Sequence, residues 1–483
     1  MTTVGVLMSG IDGRIVIIGL PTVAAYLHAD AEQAIWFTQS YTIGSTIALL
    51  FIGRVSDIVG RVKVYTLGFT AFTVGSVLTS LSFSPNTFIA ARLFQGLGSA
   101  ALFANSAAIV TDAFPTTELG RALGINSVAF RTGSMLGLTL SGLILSLFDW
   151  RFLFYINVPV GVFGTLWARR RLLEIGKRER GAPIDWLGFA IFTTSITAFL
   201  LMLTFAAYGS DQGFVVVALG VLAAVSIVSF VLVERGRAHP LLDLSLLRIR
   251  EFAGGVTAQL LNAMAWGAFI LLLSLYLQLV KGLSPIQAGV SILPFDVAFL
   301  IVGPASGRLS DKFGTLPFTT AGLATVSASM LLLSTLGPGT PYSTLIIYLV
   351  ISGAGMGLFV SPNMSSIMGS VPAHMRGVAS GLRATFFNVG YTMSFNVVIL
   401  VLAFFVPYSL ITNVVSSSAG LPAGLSEKAL FAEGLDNVYR VLAVINTAAI
   451  VPSLLRGRRL AAPKVPLDDS GSNIGAEGAL PVD

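Results

Sequence analysis

Long apolar segments follow one another along almost the whole chain, and short polar breaks separate them. A helix needs about 20 apolar residues to cross the hydrocarbon core of a bilayer. Measured against that length, the sequence predicts fourteen transmembrane helices and an all-α integral membrane protein. The predicted spans are approximately 4–27, 35–52, 64–83, 87–110, 122–146, 152–168, 187–208, 214–233, 252–279, 287–306, 316–336, 344–366, 378–406 and 438–455.

Charged residues are scarce, which excludes several classes of protein. Of the 483 residues, 54% are hydrophobic and 11% are charged, whereas soluble domains carry about 25% charged residues. Only a bilayer can solvate a surface of this composition. The chain has no cysteine, and its three histidines lie far apart, so the sequence predicts no disulfide and no metal site.

Motifs for enzymatic chemistry are also missing from the sequence. It has no HExxH metal motif, and its predicted cytoplasmic segments have no GxxxxGKS or GxxxxGKT phosphate loop. We therefore expect a protein that is not an enzyme and that needs no cofactor. A membrane-embedded sensor or enzyme is the remote alternative.

Lysine and arginine are distributed unevenly over the predicted loops. With a cytoplasmic N-terminus, 21 of the 29 basic residues fall in cytoplasmic loops and 4 in outside loops. Basic residues favour the cytoplasmic side, so both termini are predicted to lie in the cytoplasm and the protein in a cell (inner or plasma) membrane. The basic loop at 168–180 is expected to anchor this orientation and to contact anionic lipid. The tail at 461–483 is expected to be disordered.

One short sequence occurs twice. Residues 53–60 read GRVSDIVG and residues 307–314 read GRLSDKFG, with five of the eight positions identical. Both copies lie at the cytoplasmic end of a predicted span, so we expect two pseudo-symmetric six-helix bundles separated by two inserted helices. The predicted parts are an N-terminal bundle at 1–171, linkers with the two inserted helices at 172–251, a C-terminal bundle at 252–460 and a cytoplasmic tail at 461–483.

The repeated segment predicts a conformational gate on the cytoplasmic side. Glycine allows a tight turn and a close approach of backbones, and an Asp near the start of the following helix faces a positive helix end. Such a polar latch can hold one conformation and release in the other. A loop that serves only topology is the alternative, but it would not need a duplicated Asp. The residues assigned to the gate are Gly53, Asp57, Gly60, Arg61, Gly307, Asp311 and Gly314.

Four motifs resemble those of the major facilitator superfamily, and specifically its branch of fourteen-span drug:proton antiporters. They are GRVSDIVGRVK at 53–63, RLFQGLGSA at 92–100, IDGRIVIIGLP at 11–21 and DWRFLFYINVPVG at 149–161. The resemblance covers about residues 5–455. It implies efflux of small amphipathic compounds in exchange for protons, with a small-molecule substrate, protons and membrane lipids as partners and no nucleic acid.

The sequence departs from this branch in two spans. Arg14 and Ile17 stand where the branch usually has Thr and Asn, and Leu138 stands where the antiporter motif of the fifth span has proline. The missing proline weakens the implication of antiport. Small residues at four-residue spacing in that span still predict close helix packing. The residues assigned to helix packing are Gly96, Gly133 and Gly137.

Six ionisable residues lie toward the centres of the predicted spans, where each costs at least about 2.5–3.5 kcal/mol by insertion scales. They are Asp12, Arg14, Arg92, Arg131, Asp296 and Arg383. Asp12 is the first candidate for proton coupling, because a carboxyl in a partly dry cavity can take up and release protons near neutral pH. Arg92 could favour the charged form of Asp12 in one conformational state only. A static ion pair is the alternative, and Asp296 is the second candidate carboxyl.

Four arginines against two aspartates make these positions positive. That excess is a reason to consider an anionic or zwitterionic substrate, unless some of the arginines pair internally. Proton-coupled export is the first functional prediction, and the fourteen spans and Asp12 favour it. A symporter or uniporter for an organic anion or other small metabolite is the alternative, which Leu138 and the excess of arginine favour.

Overall fold

The computed structural model describes residues 2–114, 119–175, 185–207, 213–237, 244–371, 376–407 and 425–457. Helices account for nearly all of these residues, and no strand occurs among them. They are α1 (Thr2–Tyr26), α2 (Ala31–Val59), α3 (Arg61–Ser80), α4 (Pro85–Ala113), α5 (Leu119–Leu147), α6 (Phe152–Tyr155), α7 (Asn157–Arg171), α8 (Trp186–Ala207), α9 (Gly213–Arg235), α10 (Arg250–Trp266), α11 (Phe269–Leu275), α12 (Pro285–Phe313), α13 (Thr315–Leu333), α14 (Tyr342–Gly369), α15 (Arg376–Phe405), α16 (Leu425–Ala448) and α17 (Ile450–Leu455). A π-helical turn, Tyr276–Val280, extends α11.

Most of these helices are long and apolar enough to cross a membrane. Thirteen spans meet that requirement by length and composition, and α2, which bends by 48° between Glu32–Leu49 and Phe51–Val59, supplies a fourteenth. Three spans are interrupted. α6 and α7 together form Phe152–Arg171, α10, α11 and the π turn form Arg250–Val280, and Ala429–Leu455 comprises parts of α16 and all of α17. The predicted all-α membrane fold with fourteen spans is confirmed.

The helices form two bundles with the same packing order. In the first bundle α1 packs on α5, α2 on α4, and α3 on both α4 and α7. In the second bundle α10 packs on α15, α12 on α14, and α13 on both α14 and α16. Helix for helix the pattern repeats, as expected for a transporter built from two similar halves. The inserted helices α8 and α9 pack on each other, and α8 also packs on α15 and α2.

The two bundles meet along α5 with α12 and along α2 with α15. Small residues allow the first contact: a Cβ at Gly142 would overlap the backbone of Ile286, and a Cβ at Gly289 would lie 2.6 Å from the carbonyl oxygen of Leu138. These contacts lie toward the end of the molecule where α1 ends and α2 begins. We call this end the closed end.

Hydrogen bonds between the bundles lie between the closed end and the middle of the spans, as far as the structure describes the chain. The Gln39 side chain donates to Asn396 at 2.8 Å, and the Gln278 side chain donates to the carbonyl oxygen of Ile18 at 3.3 Å. The third connection is the ion pair described with the site. At the opposite end Gly53 has no neighbouring atom within 4 Å of the position of a Cβ. The hydrogen bonds and the ion pair between the bundles thus lie at the closed end and at mid-depth, and α2 and α15 also pack through Leu49 and Ala384 farther along.

The last span begins earlier than predicted. The sequence predicts a span at 438–455 after an outside segment at 407–437, but α16 already begins at Leu425. Charged residues such as Glu433 lower the hydropathy of the additional turns. On the other face of the helix, Phe431 is 1% exposed in the main core. An amphipathic helix of this kind packs by one face, and a mean hydropathy does not detect it.

The break between α10 and α11 places an aromatic side chain at the interface of the bundles. The backbone amide of Ala268 donates to the hydroxyl of Ser394 at 2.9 Å, and Gly267 lies directly against the backbone of Tyr391. Backbone N–H and C=O groups that lose their helical hydrogen bonds at membrane depth need such partners. The break thus holds Trp266, the last residue of α10, where the first bundle can reach it.

Some predictions fall outside the residues that the structure describes. They concern Lys177, Arg178 and Arg180 of the basic loop and the tail at 461–483. The lipid contact of that loop and the disorder of the tail stay predictions.

Candidate transport site

A buried polar cluster surrounds Asp12 in the first bundle. Arg92 Nη1 lies 2.7 Å from Asp12 Oδ2, and the side-chain amides of Gln95 and Asn157 each donate to Asp12 Oδ1 at 2.9 Å. Gln95 also donates to the hydroxyl of Ser76 at 2.7 Å. Asp12, Gln95 and Ser76 are 0% exposed. Helices α1, α3, α4 and α7 therefore share one enclosed network, in which Asn157 is a member that the sequence reasoning missed.

Aromatic rings hold Arg92 in addition to its carboxylate. The guanidinium carbon lies 4.3 Å from the ring centre of Tyr41 and 5.6 Å from that of Phe154. Ring faces and an ion pair together offset the cost of removing a charge from water. All of these partners belong to the first bundle. If the bundles move as rigid bodies, the cluster keeps its contacts during the movement.

The second bundle contains a neutral cluster, which the sequence reasoning also missed. The Asn262 side chain donates to Asn446 at 2.8 Å, and the Asn446 side chain donates to the hydroxyl of Ser327 at 2.9 Å. The Nδ2 atom of Asn262 lies 3.6 Å from the sulfur of Met356. These side chains come from the first, sixth, third and fourth spans of their bundle, as do those of the cluster around Asp12. Buried asparagines at membrane depth were the signal that could have identified the cluster.

A second buried ion pair joins the two bundles. Arg14 Nη1 of α1 lies 3.1 Å from Asp296 Oδ2 of α12 and 3.2 Å from its Oδ1. The residues are 6% and 2% exposed. The Arg14 guanidinium also lies 5.5 Å from the ring centre of Trp266. Within the described ranges this is the single ion pair between the bundles, so separation of the bundles at this level must break it.

Arg131 lies at the same interface and has no acidic partner. Its guanidinium carbon lies 3.8 Å from the ring centre of Phe299 and 6.0 Å from that of Trp266. It makes no hydrogen bond or ion pair with any residue that the structure describes. Arg383 on α15 is similar, because its Nε is buried without an acceptor among those residues. The predicted cavity residues thus form two sets: Asp12 with Arg92, and Arg14, Asp296 and Arg131.

The first copy of the repeated segment forms a network at the end opposite the closed end. Arg61 lies 3.0 Å from Asp57 and 2.6 Å from Asp112. The carboxylate of Glu174 accepts hydrogen bonds from the backbone amides of Arg61 and Val62, at 2.8 and 3.1 Å. Glu174 thus caps the positive end of α3. The expectation that Asp57 faces this helix end is wrong, because Asp57 lies in the last turn of α2 and binds a side chain.

The second copy has the same backbone but different contacts. α2 and α12 both continue to the residue before the second glycine of each copy, and Gly60 and Gly314 have φ values of 122° and 86°, which favour glycine. Gly307 lies against the side chain of Ser361. Asp311 is exposed and makes no hydrogen bond or ion pair within the described chain. The two copies therefore differ in this conformation, one engaged and the other open.

Small residues bring α5 close to α1. A Cβ at Gly133 or Gly137 would crowd a carbonyl oxygen of α1, and one at Gly96 of α4 would overlap a carbonyl oxygen of α2. Such close helix approach is usual where glycines recur at four-residue spacing. Helix α5 is continuous over its 29 residues, and Leu138 is buried in the core between the bundles. This packing positions Arg131, which precedes Gly133 on the same helix.

Two similar bundles of membrane-spanning helices, with ionisable side chains buried where the bundles meet, define a membrane transporter rather than an enzyme. The sequence model of the Major Facilitator Superfamily matches residues 2–395. The chain belongs to this family.

Several curated proteins are similar in sequence over most of the chain. The riboflavin transporter RibZ of Clostridioides difficile (strain 630) is 33% identical over 390 residues, which cover 81% of this chain and 84% of that protein. The multidrug resistance protein Stp of Mycobacterium tuberculosis (strain H37Rv) is 31% identical over 406 residues, covering 83% and 75%. The tetracenomycin C resistance and export protein of Streptomyces glaucescens is 29% identical over 392 residues, covering 80% and 72%.

Solved structures of transporters share the fold. A bacterial homologue of the human lysosomal transporter Spinster, in an inward-facing and unoccupied conformation, superposes with a TM-score of 0.67 at 15% identity and covers 94% of this chain and 95% of that chain. The nucleoside transporter NupG gives a TM-score of 0.59 at 12% identity and covers 94% and 100%. At these identities the similarity shows the fold alone.

Proposed function

We propose that this chain is a secondary active transporter that exports small amphipathic compounds in exchange for protons, by alternating access to a site between the two bundles. Both termini lie in the cytoplasm in this proposal, so the closed end faces the outside of a plasma or inner membrane. The names of two relatives, a multidrug resistance protein and an export protein, support export as the direction of transport.

The observation that carries the proposal is the ion pair between Arg14 and Asp296. It joins the two bundles with both side chains buried, and alternating access requires the bundles to separate there. Separating a buried pair leaves uncompensated charge, at a cost of about 3–5 kcal/mol. A proton on Asp296 removes one of the charges, and water entering the opened interface solvates Arg14. Protonation and opening of the closed end are thereby coupled.

The direction of exchange follows from which state each ligand favours. Ionised Asp296 favours the joined closed end, and protonated Asp296 favours the state that opens to the outside. The exported compound therefore drives the opening of the closed end. A proton from outside then binds Asp296, and it is released toward the cytoplasm when the closed end joins and the ion pair forms again. A ligand shifts such an equilibrium only by its differential affinity for the two states, and Asp296 supplies that difference for the proton.

Asp12 takes the second place in this proposal. It is fully enclosed and bonded only within the first bundle, so separation of the bundles does not by itself change its contacts. We assign Asp12 and Arg92 to holding the first-bundle side of the site, with proton exchange at Asp12 following that at Asp296. This order is the reverse of the order expected from the sequence, because Asp296 bonds across the bundles and Asp12 does not.

Everted vesicles test the proposal. In vesicles energised by a proton gradient, an exported compound should release protons, measured as recovery of the fluorescence of a pH-sensitive dye. A panel of lipophilic cations and organic anions supplies the compounds. We expect Asp296→Asn to abolish this response while the protein stays in the membrane at wild-type amounts. Glu433→Gln removes an exposed carboxylate from α16 and is the matched control, which should respond as wild type does.

Proton release that persists in Asp296→Asn would exclude this carboxyl from the coupling, and Asp12→Asn in parallel shows whether the other carboxyl carries it. If the wild type responds to no compound of the panel, a uniporter or symporter for an organic anion becomes the better description. One observation favours that second candidate: Arg131 and Arg383 lie at membrane depth with no acidic partner among the described residues.

A further inference from the structure

We infer that Arg131 of α5 and Trp266 of α10 form an anion-binding subsite between the bundles, which takes the acidic group of an aromatic substrate. The inference rests on the proposed function, because the subsite lies beside the Arg14–Asp296 pair at the interface that alternating access would open. It names a class of substrate: aromatic acids rather than lipophilic cations.

Arg131 is an interface cation with unused hydrogen-bond donors. It belongs to the first bundle, yet its guanidinium carbon lies 3.8 Å from the ring centre of Phe299 in the second bundle. A ring face compensates part of the charge. The guanidinium carries five N–H donors in a planar fork that suits a carboxylate, and no residue that the structure describes accepts from them.

The acids at mid-depth are already engaged. Asp296 is paired with Arg14 through both oxygens, at 3.1 and 3.2 Å, and Asp12 is enclosed with an arginine of its own. Arg131 remains at this interface as surplus positive charge. An uncompensated charge at membrane depth is costly, so a bound anion would supply the counter-charge that the described chain does not.

Trp266 supplies an independent second donor. The residue is 4% exposed, and its Nε1 is buried without an acceptor in the described part of the chain. Buried polar groups are normally hydrogen-bonded, and an indole N–H can only donate. The ring centre lies 6.0 Å from the guanidinium carbon of Arg131 and 5.5 Å from that of Arg14. The N–H donors of Arg131 and Trp266 thus both lack an acceptor at the interface of the bundles. An acid group provides acceptors for both.

The surroundings favour an acid that carries a flat ring. Phe299 lies under Arg131, and Trp266 stacks on Phe295 with ring centres 5.8 Å apart and an interplanar angle of 25°. Aromatic side chains favour offset or edge contacts with a further ring. A lipophilic cation would instead face the guanidinium groups of Arg131 and Arg14, and repulsion between like charges is strong where the dielectric constant is low.

Three anthracene derivatives with one ring system and different charges test the inference. They are anthracenecarboxylate, the neutral anthracenecarboxamide and the cationic aminomethylanthracene. Binding to the purified full-length protein in lipid nanodiscs is measured by equilibrium dialysis, with the fluorescence of the ring as the readout. We expect the carboxylate to bind about tenfold or more tightly than the amide, and the cation to bind most weakly, because charge-assisted hydrogen bonds are the stronger ones.

Single-residue variants show which side chains cause the preference for the carboxylate over the amide. Arg131→Gln should remove the preference for the carboxylate and leave the affinity for the amide unchanged, whereas Arg131→Lys should retain part of it. Arg383→Gln removes the same charge from α15 and is the matched control, which should keep the preference. Trp266→Phe keeps an aromatic ring and removes the N–H, so it should weaken binding of the carboxylate alone. This variant also tests the subsite if Arg131→Gln does not fold.

Equal affinities of the wild type for carboxylate and amide would overturn the inference. So would a loss of preference in Arg383→Gln as large as in Arg131→Gln, because the cause would then be a general positive field. These outcomes are separable from a failure of the proposed function. Proton exchange in vesicles together with charge-independent binding would refute the subsite alone, and charge-selective binding without proton exchange would refute proton coupling alone.

Discussion

Residues of the same type differ here according to what surrounds them. Asp12 accepts hydrogen bonds from Arg92, Gln95 and Asn157, all within one bundle, whereas Asp296 is held by an arginine of the other bundle. In a low-dielectric interior the energy of a charge depends strongly on its nearest neighbours. Asp12 keeps these neighbours if its bundle moves as a rigid body, whereas the neighbours of Asp296 change if the two bundles move apart.

At this scale the first prediction concerns stability. Asp12→Asn is expected to lower the free energy of unfolding by about 3–5 kcal/mol, because it leaves Arg92 as a buried charge with no counter-ion. Arg92→Gln in the same chain should recover much of that loss. Thermal unfolding of the single and double variants in detergent measures both effects. If Asp12→Asn is as stable as the wild type, Asp12 is already protonated in this conformation and the ion pair is not formed.

The two copies of the repeated segment, which precede α3 and α13, make different contacts. Glu174 caps α3, and Arg61 connects α2 to α4 through Asp57 and Asp112. Asp311, the counterpart of Asp57 at the end of α12, is exposed. Asp57 thus has its partner in this conformation, whereas Asp311 is available for a partner in another conformation of the bundles.

The gate prediction follows at the level of these helices. Asp57→Asn should slow transport by about fivefold or less, because partly exposed ion pairs contribute about 1 kcal/mol or less. Asp311→Asn should also slow transport, by weakening the alternate state. Neither variant should change which compounds are carried, because Asp57 lies in the last turn of α2 and Asp311 lies about 18 Å along α12 from Phe299. Initial transport rates for a panel of compounds measure this, with Glu433→Gln as control. A change in preference with no change in rate would refute the gate.

The two bundles share one arrangement of helices but differ in their distribution of charge. The cluster around Asp12 contains an ion pair, whereas the cluster around Asn262 and Asn446 is built from amides and a hydroxyl. Neutral amides do not take up protons near neutral pH. Titratable groups are therefore found in the cluster around Asp12 and at the interface of the bundles, whereas the cluster around Asn262 and Asn446 is neutral.

Opening of the closed end with falling pH is the prediction at this scale. The chain has no cysteine, so spin labels can be attached through Leu147→Cys on α5 and Val290→Cys on α12, at side chains that are 66% and 46% exposed. Ionised Asp296 holds the bundles together, so acidification should lengthen the distance between the labels, measured by double electron–electron resonance. In Asp296→Asn the long distance should dominate at every pH. A short distance in that variant that still lengthens on acidification would show that another carboxyl drives the opening.

Much of the fold and part of the site could be predicted from the sequence. Whether about 20 residues cross a bilayer depends on their own transfer free energies, so the spans were visible without tertiary information, except where the charged face of α16 concealed its first turns. The buried ionisable residues were equally visible, because each is costly at membrane depth. Asn157 and Glu174 were not, since such residue types are common at helix ends, whereas Asn262 lies inside a predicted span and could have been identified there.

By itself the sequence determined that the chain is a membrane transporter of two repeated halves, and which ionisable groups lie within the spans. Only the tertiary structure decided that Arg92 pairs with Asp12, that Arg14 pairs with Asp296 across the bundles, and that Arg131 pairs with neither. Arg14 and Asp296 are 282 positions apart, and their distance is set by how α1 and α12 pack. Because the energy of a charge in a low-dielectric medium depends on the distance to its nearest counter-charge, helix packing decides which carboxylate each arginine meets and how far its charge is compensated.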